Sequence, residues 1–173
     1  LVRILLLSLL VLKAFLSFAA IKRFSRVDAG IYRGAQPQVV SDYQFLKASR
    51  VKTIINLRET PTDVAAEAMV AHELGFIFRS YPIDGNSNPN QLEVSQILID
   101  LNTRALLPIF IHCQEGKDRT GMIIGIYRVK TEHWDPNRDY QEMISFGFDP
   151  NLKGLYNFFS NAVKIPAYFV TQF

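Results

Sequence analysis

The chain has 173 residues, of which 49% are hydrophobic and 20% are charged, so it is long enough for one domain with a sizeable core and too apolar to be disordered throughout. Its net charge is +3 with scattered basic residues, which suits an anionic substrate weakly and leads us to expect no nucleic-acid partner. The single cysteine excludes an internal disulfide framework and a cysteine-rich zinc site.

Residues 1–25 differ from the rest because the run from Ile4 to Ile21 is almost wholly apolar. They predict an N-terminal hydrophobic helix, which is either a membrane anchor or a signal segment, with membrane association through residues 1–21. Lys13, in the middle of the apolar run, weakens the interpretation as a spanning helix, and SFAA is a candidate signal cleavage site. Basic residues after the segment favour a cytoplasmic domain, whereas a cleaved signal favours export. The side of the membrane therefore stays open.

Strand and helix patterns alternate along the remainder of the chain. The predicted strands are GIYRG, VKTIINL, FIFRSYPI and LLPIFIHC. The predicted helices are SDYQFLKAS, TDVAAEAMVAHEL, QLEVSQILIDLNTR, RTGMIIGIYRVKTE, a segment from Asp135 to about Phe146, and the tail from Pro150. Ser41 and Gln44 form a capping-box pattern, and Thr60 is the expected N-cap before the second helix. This alternation predicts an α/β fold with a central, mostly parallel sheet flanked by helices on both faces.

Cys113 follows the apolar strand LLPIFIHC and precedes a helix, which is where ligands bind in such sheets. Backbone N–H groups and the positive end of the helix form an anion site there. They should lower the pKa of the thiol from about 8.5 to roughly 3.5–7.5. Gly116 lets the backbone curl around an oxyanion, and Arg119 offers a planar fork of donors to two phosphate oxygens. These residues favour a thiolate nucleophile over a buried structural cysteine.

The segment HCQEGKDRTG resembles the His-Cys-x5-Arg-Thr-Gly signature loop of the cysteine-based protein tyrosine and dual-specificity phosphatases. Upstream, IYRGAQP and LKASRVKTIINLRE are similar to the compact bacterial and plant or fungal atypical dual-specificity phosphatases. The resemblance covers roughly residues 30–147. It implies one phosphatase domain over residues 26–173, a phosphocysteine intermediate, and neither a metal nor another cofactor. Together with the hydrophobic segment, it leads us to expect a membrane-anchored or exported protein of a bacterial cell envelope.

The resemblance also implies a role for each matching residue. Cys113 is the expected nucleophile and Arg119 the phosphate clamp, Thr120 helps to release the thiolate, and His112 orders the loop. The expected phosphate-binding loop consists of Gln114, Glu115, Gly116, Lys117, Asp118 and Arg119.

Asp84 is the expected general acid. Attack on a phosphate ester leaves an alkoxide or phenoxide that needs a proton, and the family carries an aspartate on a loop upstream of the cysteine. The stretch SYPIDGNSNPN fits that loop, although Pro89 lies one residue later than in many members. The alternative is a turn aspartate before Gly85, in which case Asp118 would be the acid.

Several functions stay open. Phosphotyrosine proteins, with phosphoserine or phosphothreonine as further substrates, are the leading substrate class. Phosphoinositides or inositol phosphates are the alternative, because superfamily members that take phosphoinositides also carry Lys117 and Asp118 at these positions. A non-catalytic phosphate-binding module, sulfur transfer and arsenate reduction are less favoured, since Cys113 and Arg119 occur together and no resolving cysteine is present. Arg33 and Arg58 follow strands, so one interpretation places them facing the site, and the preferred interpretation pairs them with Asp or Glu.

Overall fold

The computed structural model describes residues 21–164. Within this range one sheet contains five strands: β1 (Ser25–Arg26), β2 (Ile31–Gly34), β3 (Thr53–Asn56), β4 (Ile77–Ser80) and β5 (Ile109–His112). The strand order is β1-β2-β5-β3-β4. Only β1 and β2 pair in antiparallel fashion, so the predicted mostly parallel sheet is confirmed. The two-residue β1 is an addition to the predicted strands.

Six α-helices in the described range cover both faces of this sheet, as predicted. They are α1 (Val40–Ala48), α2 (Pro61–Glu73), α3 (Gln91–Asn102), α4 (Asp118–Lys130), α5 (Pro136–Ser145) and α6 (Lys153–Val163), with a short 3-10 helix at Arg104–Leu106. Alternate side chains of β5 point to opposite faces. Ile109 and Ile111 pack with α3, α4, α5 and α6, whereas Phe110 packs with α1 and α2. The core therefore has two layers, one on each side of β5.

Most predicted helices begin within one or two residues of the observed starts, but the capping side chains differ in several cases. Asp135 caps α5 as expected by accepting two first-turn N–H groups. At α3 the capping residue is Asn90, which also accepts two first-turn N–H groups. The capping box predicted at Ser41 is wrong, because α1 starts one residue earlier and the carboxylate of Asp42 accepts the N–H groups before it. The Thr60 side chain makes no capping bond at α2.

The predicted hydrophobic segment, residues 1–25, lies almost entirely outside the described residues. From residue 21 to residue 164, no helix has both the length and the apolar character needed to cross a bilayer.

The sheet positions the candidate site through the register of its three central strands. β5 lies between β2 and β3, and His112 at the end of β5 is level with Gly34 on one side and Asn56 on the other. All three strands run in parallel, so their carboxyl ends meet at one edge. Cys113 leaves the sheet at the middle of that edge.

Candidate active site

The signature loop, residues 113–119, connects β5 to α4 and lies directly on the end of β2. Gly116 has φ +70, and a Cβ on this residue would overlap the carbonyl group of Gly34. Both the left-handed backbone and the close approach require glycine. The sequence interpretation of Gly116 as the residue that lets the loop curl therefore has a steric reason in the neighbouring strand.

Cys113 is buried, with 3% of its surface exposed. Burial by itself raises the pKa of the thiol, but hydrogen bonds from the side chain and backbone of Thr120, the charge of Arg119 and the N–H of Gly116 outweigh it. The net result is a pKa below the ordinary value. The buried hydroxyl of Thr120 has no other hydrogen-bond partner among the described residues, which leaves it available to the thiolate.

His112 lies wholly inside the protein, between two acceptors. Its Nδ1 is 3.0 Å from the carbonyl oxygen of Cys113, and its Nε2 is 2.9 Å from Oε1 of Glu67. Both ring nitrogens face oxygens, so the doubly protonated imidazolium satisfies both contacts. Burial lowers the pKa of His112, but Glu67 raises it above the ordinary value overall. Asn56 at the end of β3 holds the other oxygen of Glu67 at 2.6 Å.

Glu67 is the functional candidate that sequence reasoning missed. It lies in the middle of α2, and only 3% of its surface is exposed. Because α2 packs on the sheet beside the end of β5, Glu67 contacts His112, the residue before Cys113. The available sequence signal was a lone carboxylate between alanines in TDVAAEAMVAHEL, on a face that a charged residue rarely occupies without a partner.

Arg119 connects the signature loop to the loop that carries Asp84. Its Nη1 donates to the carbonyl oxygen of Ile83 at 3.2 Å and lies 4.0 Å from Oε2 of Glu59. These contacts hold one corner of the guanidinium, and its other N–H donors stay available to a bound anion.

Asp84 opens the acid loop, residues 84–90, and its side chain is exposed. The carboxylate accepts hydrogen bonds from Ser87 Oγ at 2.6 Å and from the Asn86 N–H at 2.8 Å. These two bonds, in that order, and the charge of Arg119 lower the pKa of Asp84. In this conformation Asp84 is ionised at neutral pH, and it must gain a proton before it can act as an acid.

The first half of the signature loop is tied to the strand ends by its backbone. The carbonyl oxygen of Gln114 accepts the N–H of Gln36 at 3.2 Å. Arg23 donates through Nη1 to the carbonyl oxygen of Glu115 at 3.0 Å and reaches Oε2 of the same residue at 3.3 Å. With their carbonyl groups held on this side, the loop amides are free to face the opposite side.

The second half of the loop contacts the segment after α5. The aliphatic part of Lys117 packs against Gly147, where a Cβ would lie 3.0 Å from Cδ of the lysine. Oδ1 of Asp118 accepts the N–H of Asp149 at 2.8 Å. Asp118, the alternative acid in the sequence interpretation, thus binds backbone from a different part of the chain.

The two upstream arginines behave differently. Arg58 forms an ion pair with Asp63 and donates to Oε1 of Gln36 at 2.6 Å, as expected from the sequence. The same expectation for Arg33 is wrong, because no carboxylate of the described residues lies within ion-pair distance of it. Arg33 instead donates to the signature loop, through the carbonyl oxygen of Gly116.

Comparisons with known proteins match this geometry. A sequence model described as the tyrosine phosphatase family matches residues 19–162. The inositol diphosphatase DSP1 of Oryza sativa subsp. japonica is 30% identical over 119 residues, which are 64% of this chain and 50% of that protein. The inositol diphosphatase SIW14 of Saccharomyces cerevisiae is 31% identical over 141 residues, 78% of this chain and 48% of that protein. The chain thus spans about half the length of these curated relatives.

Solved structures show the same fold. The core catalytic domain of the PP-IP phosphatase SIW14 from S. cerevisiae superposes with a TM-score of 0.67 and 25% identity, covering 83% of this chain and 90% of that one. TpbA from P. aeruginosa gives a TM-score of 0.67 at 22% identity, over 80% and 83% of the two chains. The family match includes both the signature loop and the acid loop. The chain therefore belongs to the tyrosine phosphatase family.

Proposed function

We propose that this protein hydrolyses phosphate esters through a phosphocysteine intermediate on Cys113. The observation that carries the proposal is the joint placement of a thiol with a lowered pKa and an arginine fork at the two ends of one loop. A thiolate is a nucleophile at neutral pH, and the loop amides with Arg119 match the charge of a phosphoryl group.

In the first step the Cys113 sulfur attacks phosphorus, and a sulfur–phosphorus bond forms as the bond to the leaving oxygen breaks. The leaving oxygen takes a proton from Asp84, which must first be protonated. Arg119 and the loop amides hold the three equatorial oxygens, on which the charge is spread in the transition state. Arg119 also contacts the stem of the acid loop at Ile83, so clamp and acid are positioned together.

In the second step water attacks phosphorus, and the sulfur–phosphorus bond breaks. The Asp84 carboxylate takes a proton from that water and is reset as the acid. The Cys113 thiolate is regenerated, stabilised by the Thr120 hydroxyl and by the charge of Arg119. Inorganic phosphate then leaves the loop. No cofactor is required for either step.

The leading substrate class is phosphotyrosine or dual-specificity phosphoprotein, in line with the family. A second candidate is the diphosphate group of an inositol diphosphate, which the names of the plant and yeast relatives favour. The lowered pKa of Asp84 also suits that class. Its leaving group is a phosphate monoester with a pKa near about 6, whereas the phenol of tyrosine has a pKa of about 10 and needs the proton more.

The test is phosphate release by the full chain on phosphotyrosine peptides, phosphoinositide vesicles and inositol diphosphates. We expect turnover of at least one class, and Cys113→Ser should abolish that turnover because a hydroxyl is a far weaker nucleophile than a thiolate. The variant should still bind inorganic phosphate, since Arg119 and the loop amides are intact. Undiminished turnover by Cys113→Ser would refute the mechanism. Activity on inositol diphosphates alone would remove the protein-substrate proposal.

We also propose that the protein is membrane-anchored or exported. Fractionation of cells that express the full chain tests this proposal. The support is the apolar composition of residues 1–21. We expect the full chain in the membrane or the exported fraction. Leu9→Arg adds a second charge to the apolar run at a cost of roughly 2.5–3.5 kcal/mol for insertion, and it should shift the chain to the cytosolic fraction. Cytosolic recovery of the unsubstituted chain would overturn this proposal.

A further inference from the structure

Arg33 is a buried cation directly beneath the signature loop. It lies in β2, level with Ile111 of β5, and 1% of its surface is exposed. Burial lowers the pKa of its guanidinium to about 10, against the favourable charges of Glu142, Cys113 and Asp139. The group therefore stays protonated at neutral pH, and a full positive charge lies inside the protein on the side of the loop that faces the sheet.

The contacts of Arg33 differ from those of a structural ion pair. Nη2 donates to the carbonyl oxygen of Gly116 at 3.0 Å, and the guanidinium carbon lies 4.0 Å from the centre of the Phe146 ring. Nε and Nη1 have no hydrogen-bond partner among the described residues. Burial of an unpaired charge costs free energy. The hydrogen bond from Arg33 to Gly116 is therefore the contact that points to a role for this residue.

That contact fixes the orientation of one peptide group of the loop. In a trans peptide the C=O and the following N–H point in opposite directions. Because Arg33 holds the Gly116 oxygen toward the sheet, the N–H of Lys117 points away from the sheet, toward the anion-binding side. The overlap that a Cβ at Gly116 would make with Gly34 shows how closely the loop is seated over this strand.

The charge of Arg33 acts on the nucleophile as well. The Cys113 thiolate favours the protonated form of Arg33, and by linkage protonated Arg33 favours the thiolate to the same extent. Arg33 and Arg119 therefore both favour the Cys113 thiolate through their charge.

We propose that Arg33 is a positioning residue for catalysis, which holds the Gly116–Lys117 peptide toward the bound phosphate. This inference rests on the proposed function of the loop. It adds a residue that the signature motif does not contain, from a strand far upstream in the sequence.

The experiment measures two properties that need no turnover. Cys113 is the only cysteine, so the pH dependence of alkylation by iodoacetamide reports its thiolate alone. Binding of inorganic phosphate and of orthovanadate reports the anion site. The variants are Arg33→Met, which removes charge and donor, and Arg33→Lys, which keeps the charge but loses the fork that reaches Gly116. Thermal unfolding establishes that each variant is folded.

Arg128→Met is the matched control. Arg128 is also a buried arginine over an aromatic ring, with its guanidinium carbon 4.0 Å from the centre of Trp134. It pairs with Glu142 at 2.8 Å and Glu132 at 2.8 Å and makes no hydrogen bond to the signature loop. We expect Arg128→Met to lower the unfolding temperature while leaving alkylation midpoint and phosphate affinity near those of the unsubstituted protein.

For Arg33→Met we expect phosphate to bind about tenfold more weakly, because the Gly116–Lys117 peptide loses the hydrogen bond that orients it, and the alkylation midpoint to rise, because a buried positive charge is removed. Arg33→Lys should keep the midpoint and still lose phosphate affinity. A folded Arg33→Met with unchanged midpoint and affinity would overturn the proposal. If Arg33→Met fails to fold, Arg33→Lys decides, and unchanged phosphate affinity in that variant overturns the positioning role. If phosphate affinity and the alkylation midpoint change as expected but no ester is turned over, the proposed activity is refuted and the role of Arg33 in anion binding is not.

Discussion

The signature loop and the acid loop lie side by side at the same edge of the sheet, yet they are held in different ways. The signature loop is anchored from below by buried side chains, of which His112 and Thr120 are wholly inside and Arg33 bonds its backbone. The acid loop holds Asp84 through bonds within the loop itself, to Asn86 and Ser87, on an exposed surface. In the proposed mechanism, recognition of phosphate is thus preorganised by the core, whereas proton donation depends on a loop that the core barely constrains.

The largest effect should come from disturbing the preorganised loop. Gly116→Ala combines a left-handed residue, at about 1–2 kcal/mol of strain, with overlap of the Gly34 carbonyl. The loop must shift and lose amide donors, so we expect turnover to fall by about 100-fold or more. The assay is phosphate release together with phosphate affinity, which should fall in parallel.

Gly75→Ala separates the two causes in Gly116→Ala. Gly75 has φ +73, but the nearest atom to an added Cβ is the end of the Lys47 side chain at 3.7 Å. This variant carries similar strain without the overlap, and it should lose stability while keeping activity. Full activity in Gly116→Ala would contradict the view that the loop is rigidly seated on β2.

An intermediate effect is expected from Asp84→Asn, which removes the proton donor and leaves the phosphate site intact. We expect a loss of about 100-fold on phenyl phosphate and a much smaller loss on 4-nitrophenyl phosphate, whose leaving group needs little protonation. Phosphate affinity should change little, because the loop amides and Arg119 are untouched.

The pH dependence of turnover by Asp84→Asn is a second test of the same prediction. The acid must be protonated, so the rate of the unsubstituted protein falls as pH rises through the pKa of Asp84 in the complex. The nucleophile must be ionised, so the rate rises through the pKa of Cys113, which is lowered. Asparagine should remove the falling limb and keep the rising one. Equal losses on both esters, or a persistent falling limb, would assign the acid to another group.

The smallest effect should come from Gly154→Ala, which reaches the acid loop from outside. Gly154 lies in the first turn of α6, and a Cβ there would overlap the carbonyl of Ser87. A displacement of about 1 Å in a catalytic group can cost about 100-fold, but an exposed loop relaxes, so we expect a loss of about tenfold, confined to poor leaving groups. Gly85→Ala, in the same loop with open space around the added Cβ, should retain full activity. If both variants lose the same activity, contact with α6 does not position the loop.

The sequence was sufficient for the parallel sheet and for the placement of Cys113, because both follow from local patterns. The apolar run LLPIFIHC is long enough only for a buried strand, and a parallel strand must deliver its carboxyl end to the ligand edge. The polar residues after Cys113 then made a buried structural cysteine a poor interpretation. The roles of the site residues remain predictions that the variants above test.

The residues that sequence reasoning missed act across the chain rather than along it. Glu67 meets His112 only because α2 packs over β3 and β5, and no spacing rule connects the two positions. For Arg33, ion pairing was preferred over an orientation toward the site, and its carbonyl partner at Gly116 depends on strand order. The capping error at Ser41 is a local one: the Asp42 carboxylate, a charged acceptor, binds the N–H groups of Gln38 and Val39, and the helix begins before Ser41.

The strand order β1-β2-β5-β3-β4 has a consequence for how the molecule assembles. Until β5 is available, β1–β2 and β3–β4 are two separate ribbons, because β2 and β3 never pair with each other. The last strand of the sheet to be synthesised is thus the one that joins it, and Cys113, the proposed nucleophile, follows it directly. A nascent chain that stops before residue 109 has neither a continuous sheet nor Cys113. The strand that completes the sheet and the proposed nucleophile therefore become available together during synthesis.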